Sequence, residues 1–178
     1  MVSHPVRKLR PWSEPDAPSI LAAFSAPEMA RQADEPVNSL GVASRWIARR
    51  EEERAAGTAY AFAVVDADDT PLGNVSVGAV NDTHSTGWVS YWTAPSARGR
   101  GVATWGCAAL ASWAFNELGL FRLELGHRLN NPASCRVAHG AGFAAEGVQR
   151  QKLAYDGIRY DVELHARLVS DRGGARAP

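Results

Sequence analysis

Hydrophobic and polar residues follow two kinds of spacing along the chain, and each predicts a type of secondary structure. Short apolar runs bounded by Gly, Pro, Asn or Asp are typical of strands. They are Val6–Trp12, Tyr60–Asp66, Asn74–Val80, Trp88–Thr93, Leu120–Gly126 and the two halves of residues 143–168 around the turn Asp156-Gly157. Runs with helical spacing predict helices. They are Glu14–Phe24, Ser44–Ala56, Val102–Leu118 and Asn131–Gly142.

The order of these elements predicts an α+β fold around one mixed, mostly antiparallel sheet, flanked by about four helices. The three strands between residues 60 and 93 are joined by short turns and predict an antiparallel meander. The helix from Val102 then crosses over to the strand at Leu120, so the strands at its two ends should run parallel. We expect a single domain over residues 1–168 and a disordered tail over residues 169–178.

Composition limits the classes of protein to which the chain can belong. It has 178 residues, with 19 Lys and Arg against 19 Asp and Glu, so its net charge is zero. A general nucleic-acid binder carries a basic excess, so no nucleic-acid partner is expected. Residues 1–12 lack the apolar core of a signal peptide, and the most apolar stretch, Val102–Phe115, is too short to span a bilayer. With only two isolated cysteines, the chain is expected to be cytoplasmic and to have no membrane partner.

One stretch combines glycines and arginines directly before the long helix. It is APSARGRGVATWG, from Ala94 to Gly106. Successive N–H groups from Gly99 to Thr104 can point at an anion, and the helix dipole adds roughly half a positive charge there. Glycine also lets a ligand approach the backbone closely. The stretch therefore predicts a phosphate-binding site.

Three phosphate compounds fit such a loop to different degrees. A nucleoside triphosphate loop needs Lys and then Ser or Thr after its last glycine, but Val102 follows Gly101 here. A dinucleotide loop needs a third glycine where Thr104 stands, although Glu124 lies near the place of its ribose-binding acid. Three antiparallel strands also precede the loop, whereas a dinucleotide loop normally opens a series of parallel units. The third compound is coenzyme A.

The loop and two later stretches share their order and spacing with one protein family. RGRGVA, at Arg98–Ala103, matches the pattern Arg/Gln-x-x-Gly-x-Gly/Ala, and NNPASCRVAHGAGFAAEG and YDGIRYDVELHARL follow it. In these stretches the chain resembles the GNAT superfamily of N-acetyltransferases, in the RimJ/RimL-like branch that acetylates the N-terminal amine of ribosomal proteins. The detailed resemblance covers Trp88–Leu168. It implies the GNAT fold, in which a V-shaped splay separates two parallel strands.

The resemblance also implies how the cosubstrate acetyl-CoA is bound. The strand before the loop carries a bulge, and its backbone at Trp92, Thr93 and Ala94 holds the pantetheine arm, with one N–H polarising the thioester carbonyl. The coenzyme's pyrophosphate is held by the loop and the first helical turn, which are Arg98, Gly99, Arg100, Gly101, Val102, Ala103 and Thr104. The dipeptide Asn131-Pro132 is typical of a helix N-cap. The resemblance adds an amide contact from Asn131 to the arm.

Ser134 is the residue to which the resemblance assigns catalysis. In this branch a serine at this place protonates the departing thiolate, and its position in the first helical turn is also that of a capping residue. Other GNAT members use a tyrosine where Ala138 stands, and some members of the branch carry a glutamate where Leu153 stands. The general base is therefore open among several charged residues, which are Asp34, Glu35, Glu124, His127, Glu146, Asp161 and Glu163.

The missing glutamate bears on the acceptor. An α-amine has a pKa of about 7.7–8.0 against about 10.4 for a lysine amine, so it is more often neutral at physiological pH. The substitution therefore favours a low-pKa amine, or deprotonation through water. We expect the acceptor to be bound by Phe24–Ser44 and the final hairpin, where no motif identifies it.

The sequence thus predicts direct acetyl transfer from acetyl-CoA to a primary amine, on a protein N-terminus or a small molecule. The five histidines show no metal-ligand spacing, so no metal is expected. The alternative is a GNAT-fold module that binds acyl-CoA without turnover, because Ala138 and Leu153 depart from the family pattern. Dimers are common in the family, and the sequence does not decide whether this chain forms a homodimer.

Overall fold

A mixed sheet organises the chain. The structure is a computed structural model that describes residues 6–33 and 35–171. Within those residues the strands are β1 (Lys8–Arg10), β2 (Tyr60–Val65), β3 (Pro71–Asn81), β4 (Thr86–Thr93), β5 (Arg122–Arg128), β6 (Ala144–Tyr155) and β7 (Ile158–Leu168). The α-helices in the same residues are α1 (Ala17–Phe24), α2 (Leu40–Ala55), α3 (Val102–Glu117) and α4 (Pro132–Gly140).

The strands lie in the order β1-β2-β3-β4-β5-β7-β6. Strands β4 and β5 run parallel, and each other neighbouring pair in the described sheet is antiparallel. The crossover through α3 therefore produces the parallel pair that the sequence predicts, and the α+β fold is confirmed. No helix in the described part of the chain has the length and apolar character needed to cross a membrane.

The parallel pair separates soon after it forms. The register joins Thr86–Trp88 of β4 to Arg122–Glu124 of β5. Beyond that point β4 continues along β3 as far as Thr93, and β5 continues along β7. The two strands thus part in a V, as predicted. The bulge expected in β4 lies instead in its neighbour β3, where the register shifts and Ala79 has a φ of 47°.

Both faces of the sheet are covered, and alternation along β2 makes this clear. Phe62 and Val64 face the core beneath α3 and α4, while Ala63 and Val65 face a second core beneath α1 and α2. The second core holds three tryptophans, Trp12, Trp46 and Trp92. Because β2 is buried on both sides, its apolar run is nearly continuous, as in strands of covered sheets.

Helix α2 begins four residues before the predicted start, at Leu40. Its N-cap is Ser39, whose hydroxyl accepts a hydrogen bond from the N–H of Val42 at 3.3 Å. The preceding stretch contains a 3-10 helix at Pro27–Gln32, which the buried side chain of Met29 anchors to the core. At the other terminus, the predicted tail lies outside the described residues from 172 onward.

Helix α3 approaches the sheet closely at one glycine. A Cβ on Gly106 would lie 2.8 Å from Cγ1 of Val75 and 2.9 Å from Cγ2 of Val64. Both valines are buried in the sheet, so neither methyl group can move away freely. The position of α3, and hence of the loop at its N-terminus, therefore depends on residue 106 being a glycine.

Gly106→Ala should lower the free energy of unfolding. Overpacking costs about 1–3 kcal/mol, which exceeds the gain of up to about 1 kcal/mol from replacing Gly by Ala in a helix. Gly41→Ala in α2 is the matched control, because no atom lies within 4 Å of its Cβ position. Urea denaturation of both variants tests this. If Gly106→Ala proves as stable as Gly41→Ala, the close approach does not limit the position of α3.

Candidate active site

A cleft of ≈ 580 Å³ lies at the open end of the splay. It is lined by the end of β4, the glycine loop, the first turn of α3 and the start of α4. Of the residues predicted for the site, the cleft contains Trp92, Thr93, Arg98, Gly99, Gly101, Val102, Ala103, Thr104, Asn131 and Ser134. Ala94 and Arg100 are not among its lining residues. The fold therefore brings together most of a set drawn from three separate stretches of sequence.

The glycine loop has the backbone of an anion cradle. Gly99 and Gly101 have φ values of 73° and 71°, in the left-handed region that favours glycine. A Cβ on either residue would meet no atom within 4 Å, so open space lies beside the backbone. Gly101 is the N-cap of α3 and has no side chain with which to cap it. The first N–H groups of α3 therefore face the cleft without a side-chain acceptor from the cap residue.

Three arginines lie near this cradle, and two of them, Arg98 and Arg136, line the cleft. Arg98 lines the cleft, and its Nη1 lies 2.7 Å from Oε1 of Glu28. The pKa of Glu28 is lowered by a hydrogen bond from its own backbone N–H and by Arg98. Arg136 of α4 also lines the cleft, although sequence reasoning did not identify it. Arg100 is exposed, and its carbonyl accepts a hydrogen bond from Arg7 at 2.5 Å.

Backbone groups along β4 alternate in direction. The N–H of Ala94 donates to the carbonyl of Leu72 in β3, at 2.9 Å. Because backbone groups alternate with a period of two residues, Trp92, which lies opposite Asn74, also directs its N–H and carbonyl toward β3. The intervening Thr93 directs its N–H and carbonyl to the opposite edge, where β5 has moved away. Of the three residues expected to hold the pantetheine arm, Thr93 is thus the one whose backbone groups face the splay.

Asn131 and Ser134 lie together at the start of α4. Oδ1 of Asn131 accepts a hydrogen bond from the N–H of Ser134 at 3.2 Å, which is an N-cap contact. This contact uses the amide oxygen of Asn131 and leaves its amide nitrogen available as a donor. Both side chains line the cleft. The capping role of Asn131 is therefore compatible with a contact to a ligand.

Tyr91 is a site residue that the sequence analysis did not identify. It lies on β4, and both Tyr91 and Ser134 line the cleft. Burial raises the pKa of Tyr91 to about 12, and the nearby hydroxyl of Ser134 opposes this shift in part. The tyrosine is therefore protonated at neutral pH. Alternation along β4 was the available signal, because it directs Tyr91 and Trp92 to opposite faces.

Trp92 packs on the other face of the sheet, in the second core. Its ring stacks on Trp12 with centroids 5.8 Å apart and meets Phe24 edge-on at 5.3 Å. Its Nε1 is buried and has no hydrogen-bond partner among the described residues. The side chain of Trp92 thus stabilises the end of β4 from beneath the cleft.

A second cavity, of ≈ 420 Å³, lies on the α2 side of the sheet. Its wall is formed by α2 and strands β2 to β4, and it includes Arg50 and Glu53, whose side chains pair at 3.1 Å. Gln32, Tyr91 and Trp92 line both this cavity and the cleft. The two spaces therefore approach each other at β4. The sequence indicated only part of this wall, since the expected segment Phe24–Ser44 contributes Gln32 and Ala33.

The candidate bases that the structure describes lie outside the cleft, and most form contacts with other residues. Arg122 binds both Glu124 and Glu146, at 2.7 and 2.9 Å. Glu35 lies 3.2 Å from Arg45. Oδ1 of Asp161 accepts the N–H of Gln151 at 2.8 Å.

His127 and Glu163 belong to a buried cluster beneath α4. Asp34 lies outside the described residues. Leu153, at the place of the family glutamate, pairs with Tyr160 across the final hairpin. Among the described residues, no candidate base from the sequence lines the cleft.

Known proteins resemble the chain in sequence and in fold. The "Probable N-acetyltransferase YjcK" of Bacillus subtilis (strain 168) is 32% identical over 114 residues, which are 63% of each chain. The ribosomal-protein-serine acetyltransferase of Escherichia coli (strain K12) is 28% identical over 105 residues, which are 59% of each chain. The chain thus spans less than two thirds of the length of these curated relatives.

The solved structure of Mycobacterium smegmatis RimJ in complex with CoA-disulfide has the same fold. It superposes with a TM-score of 0.85 at 24% identity, over 96% of this chain and 86% of that one. The family described as "Acetyltransferase (GNAT) domain" matches residues 7–144, which include the loop, the parted strands and α4. The chain therefore belongs to the GNAT acetyltransferase family.

Proposed function

We propose that the chain is an N-acetyltransferase that transfers the acetyl group of acetyl-CoA directly to a primary amine. One observation carries this proposal. A single cleft joins an anion cradle at Gly99 and Gly101, the free edge of β4 at Thr93, and the hydroxyl of Ser134. These three parts would hold the diphosphate, the extended arm and the departing sulfur of acetyl-CoA, in that order along the cleft.

Two relatives support the same activity. The E. coli relative is named for acetylating a serine of a ribosomal protein. The RimJ structure, which shares the fold, contains a disulfide of coenzyme A. A protein N-terminal amine is therefore one candidate acceptor for this chain, and a small-molecule amine is the other.

Acetyl-CoA would supply the acetyl group as a thioester, whose C–S bond breaks as the amine nitrogen bonds to the carbonyl carbon. The N–H of Thr93 would donate to the carbonyl oxygen as negative charge develops there. Ser134, beside the protonated Tyr91, would give the thiolate its proton. Tyr91 would in turn restore the proton to Ser134 and regain one from water. The amine would lose its own proton to water, since no predicted base among the described residues lines the cleft.

The acceptor would enter through the second cavity. This cavity meets the cleft at Tyr91 and Trp92, close to the place of the thioester. Its polar wall includes the paired side chains of Arg50 and Glu53. A charged or zwitterionic amine would therefore find a partner of opposite charge on the way in.

Gly101→Glu should abolish acetyl-CoA binding. The new carboxylate would occupy the open space at the N-terminus of α3 and repel the diphosphate, so Kd should rise by about 100-fold or more. Gly119→Glu is the matched control. It lies beyond the opposite end of α3, has a φ of 66° and likewise meets no atom within 4 Å. Calorimetric titration of both variants with acetyl-CoA measures the difference, and equal affinities would place the diphosphate elsewhere.

Ser134 and Tyr91 should act as one unit. Ser134→Ala should lower kcat by about 10²-fold, within the range for a lost general acid, and Tyr91→Phe should lower it by about tenfold. The double variant should be little slower than Ser134→Ala, since residues that act together give non-additive losses. Tyr60→Phe, a partly buried tyrosine outside the cleft, is the control. Additive losses in kcat would mean that Tyr91 does not act through Ser134.

A panel of amines separates transfer from simple binding. Release of thiol from acetyl-CoA would be followed with N-terminal peptides, lysine peptides, polyamines and aminoglycosides. Release should depend on one amine class and vanish in Gly101→Glu. With an α-amine acceptor the rate should rise as pH increases through about 7.7–8.0, the pKa of the amine, and level off above it, because the neutral amine is the nucleophile. Coenzyme binding without release for any amine would instead favour an acyl-CoA-binding module.

A further inference from the structure

Four side chains with metal-binding atoms meet between α4 and the sheet. They are His127 of β5, Cys135 of α4, and Glu163 and His165 of β7. Their ligand atoms all lie within 4.8 Å of one another. His165 is fully buried and His127 is 7% exposed. No residue of this cluster lines the acetyl-CoA cleft, so the proposed transfer leaves these groups unused.

The strand register explains why these residues meet. His127 lies directly opposite Glu163 in the antiparallel pair of β5 and β7. His165 follows Glu163 by two residues, so it stands on the same face of the sheet. Cys135 reaches down to this face from the first turn of α4. No sequence motif indicated the site, because its members are spread over the chain at positions 127, 135, 163 and 165.

The distances suit a tetrahedral metal. Nε2 of His165 lies 3.0 Å from both Nε2 of His127 and Oε2 of Glu163. Nε2 of His127 lies 3.3 Å from the same carboxylate oxygen, which lies 3.7 Å from Sγ of Cys135. Bonds of about 2.0–2.3 Å to a tetrahedral zinc ion place ligand atoms about 3.3–3.7 Å apart. The cluster therefore needs only small movements to surround one ion.

The proton positions also suit a metal. Nδ1 of His127 lies 3.0 Å from the carbonyl of Arg128, which can only accept. That nitrogen is therefore the donor, and Nε2 of the neutral ring presents a lone pair to the cluster. This backbone contact is the arrangement that orients metal-bound histidines. Nδ1 of His165 is buried and has no partner among the described residues, and it would carry the ring proton when Nε2 binds an ion.

We propose that His127, Cys135, Glu163 and His165 form a zinc site. Binding would form bonds from Zn²⁺ to two neutral imidazoles, a thiolate and a carboxylate, and the thiol proton of Cys135 would pass to solvent. The two anionic ligands balance the charge of the ion, which makes its burial acceptable. The side chain of Glu163 is 24% exposed, so the ion has a route of entry. Zinc would tie the first turn of α4, which carries Ser134, to β5 and β7.

Cobalt titration of the full-length protein, without an affinity tag and after treatment with a chelator, tests the proposal. Wild type should bind one Co²⁺ per chain, with the visible bands of tetrahedral cobalt and a thiolate-to-cobalt charge-transfer band in the near ultraviolet. Zn²⁺ should displace the cobalt and raise Tm. Failure to bind either ion, or binding without the charge-transfer band, would overturn the site.

Variants identify the ligands. Cys135→Ser should lose the charge-transfer band and the rise in Tm with Zn²⁺, while Cys107→Ala, which removes the other cysteine, should keep both. Glu163→Gln provides a second test if Cys135→Ser does not fold, and its affinity for Zn²⁺ should fall by about tenfold or more. Unchanged metal binding in Cys135→Ser or Glu163→Gln would refute this ligand set. These readouts do not depend on acetyl transfer, so the zinc site and the proposed function can fail separately.

Discussion

The parting of two parallel strands is the constraint on which the rest of this molecule depends. Strand β4 must pair with β5 for three residues to join the two halves of the sheet, and must then leave it. From that point the edge of β4 has backbone donors and acceptors without a strand beside them. An exposed strand edge is normally a liability. Here α3 and α4 close over it, and the edge becomes the floor of a cleft.

Successive side chains of β4 lie on opposite faces of the sheet and pack against different helices. Tyr91 turns toward α3 and α4 and meets Ser134, whereas Trp92 turns toward α1 and α2 and joins the aromatic core. Both residues also line the cleft and the second cavity. Because both packing interactions fix the same short strand, the backbone of Thr93 that follows is held from both sides. Such support from packed neighbours keeps a backbone group in a fixed position.

Much of this arrangement could be predicted from local sequence signals. The glycines of the loop, the Asn-Pro cap and the crossover through α3 each have a short-range pattern with a physical cause. Contacts between residues that are distant along the chain have no such short-range pattern in the sequence. Arg136 lies on the same helix as Ser134, but nothing in its neighbours indicates that it faces the cleft. The cluster around His165 depends on the register of β5 against β7, which the sequence does not specify by itself.

The start of α2 and the Arg98–Glu28 pair show two further limits. Helix α2 begins at Leu40 and not at the predicted Ser44, because Ser39 caps it. A capping residue can outweigh a weak apolar period in deciding where a helix begins. Glu28 lies in a stretch without regular spacing, so its approach to Arg98 was not expected. The sequence assigned Arg98 to a phosphate, and the structure gives it a carboxylate partner as well.

That ion pair joins two parts of the molecule to which the proposed function assigns different ligands. Arg98 belongs to the anion cradle, and Glu28 belongs to the 3-10 helix that also carries Gln32, a residue shared by both cavities. A diphosphate that draws Arg98 toward itself would loosen its hold on Glu28 and alter the wall that the acceptor meets. Thermodynamic linkage then requires the reverse, so that an acceptor which shifts this wall changes the affinity for the cosubstrate by the same factor. The affinities for the two proposed substrates would thus be coupled through one surface contact.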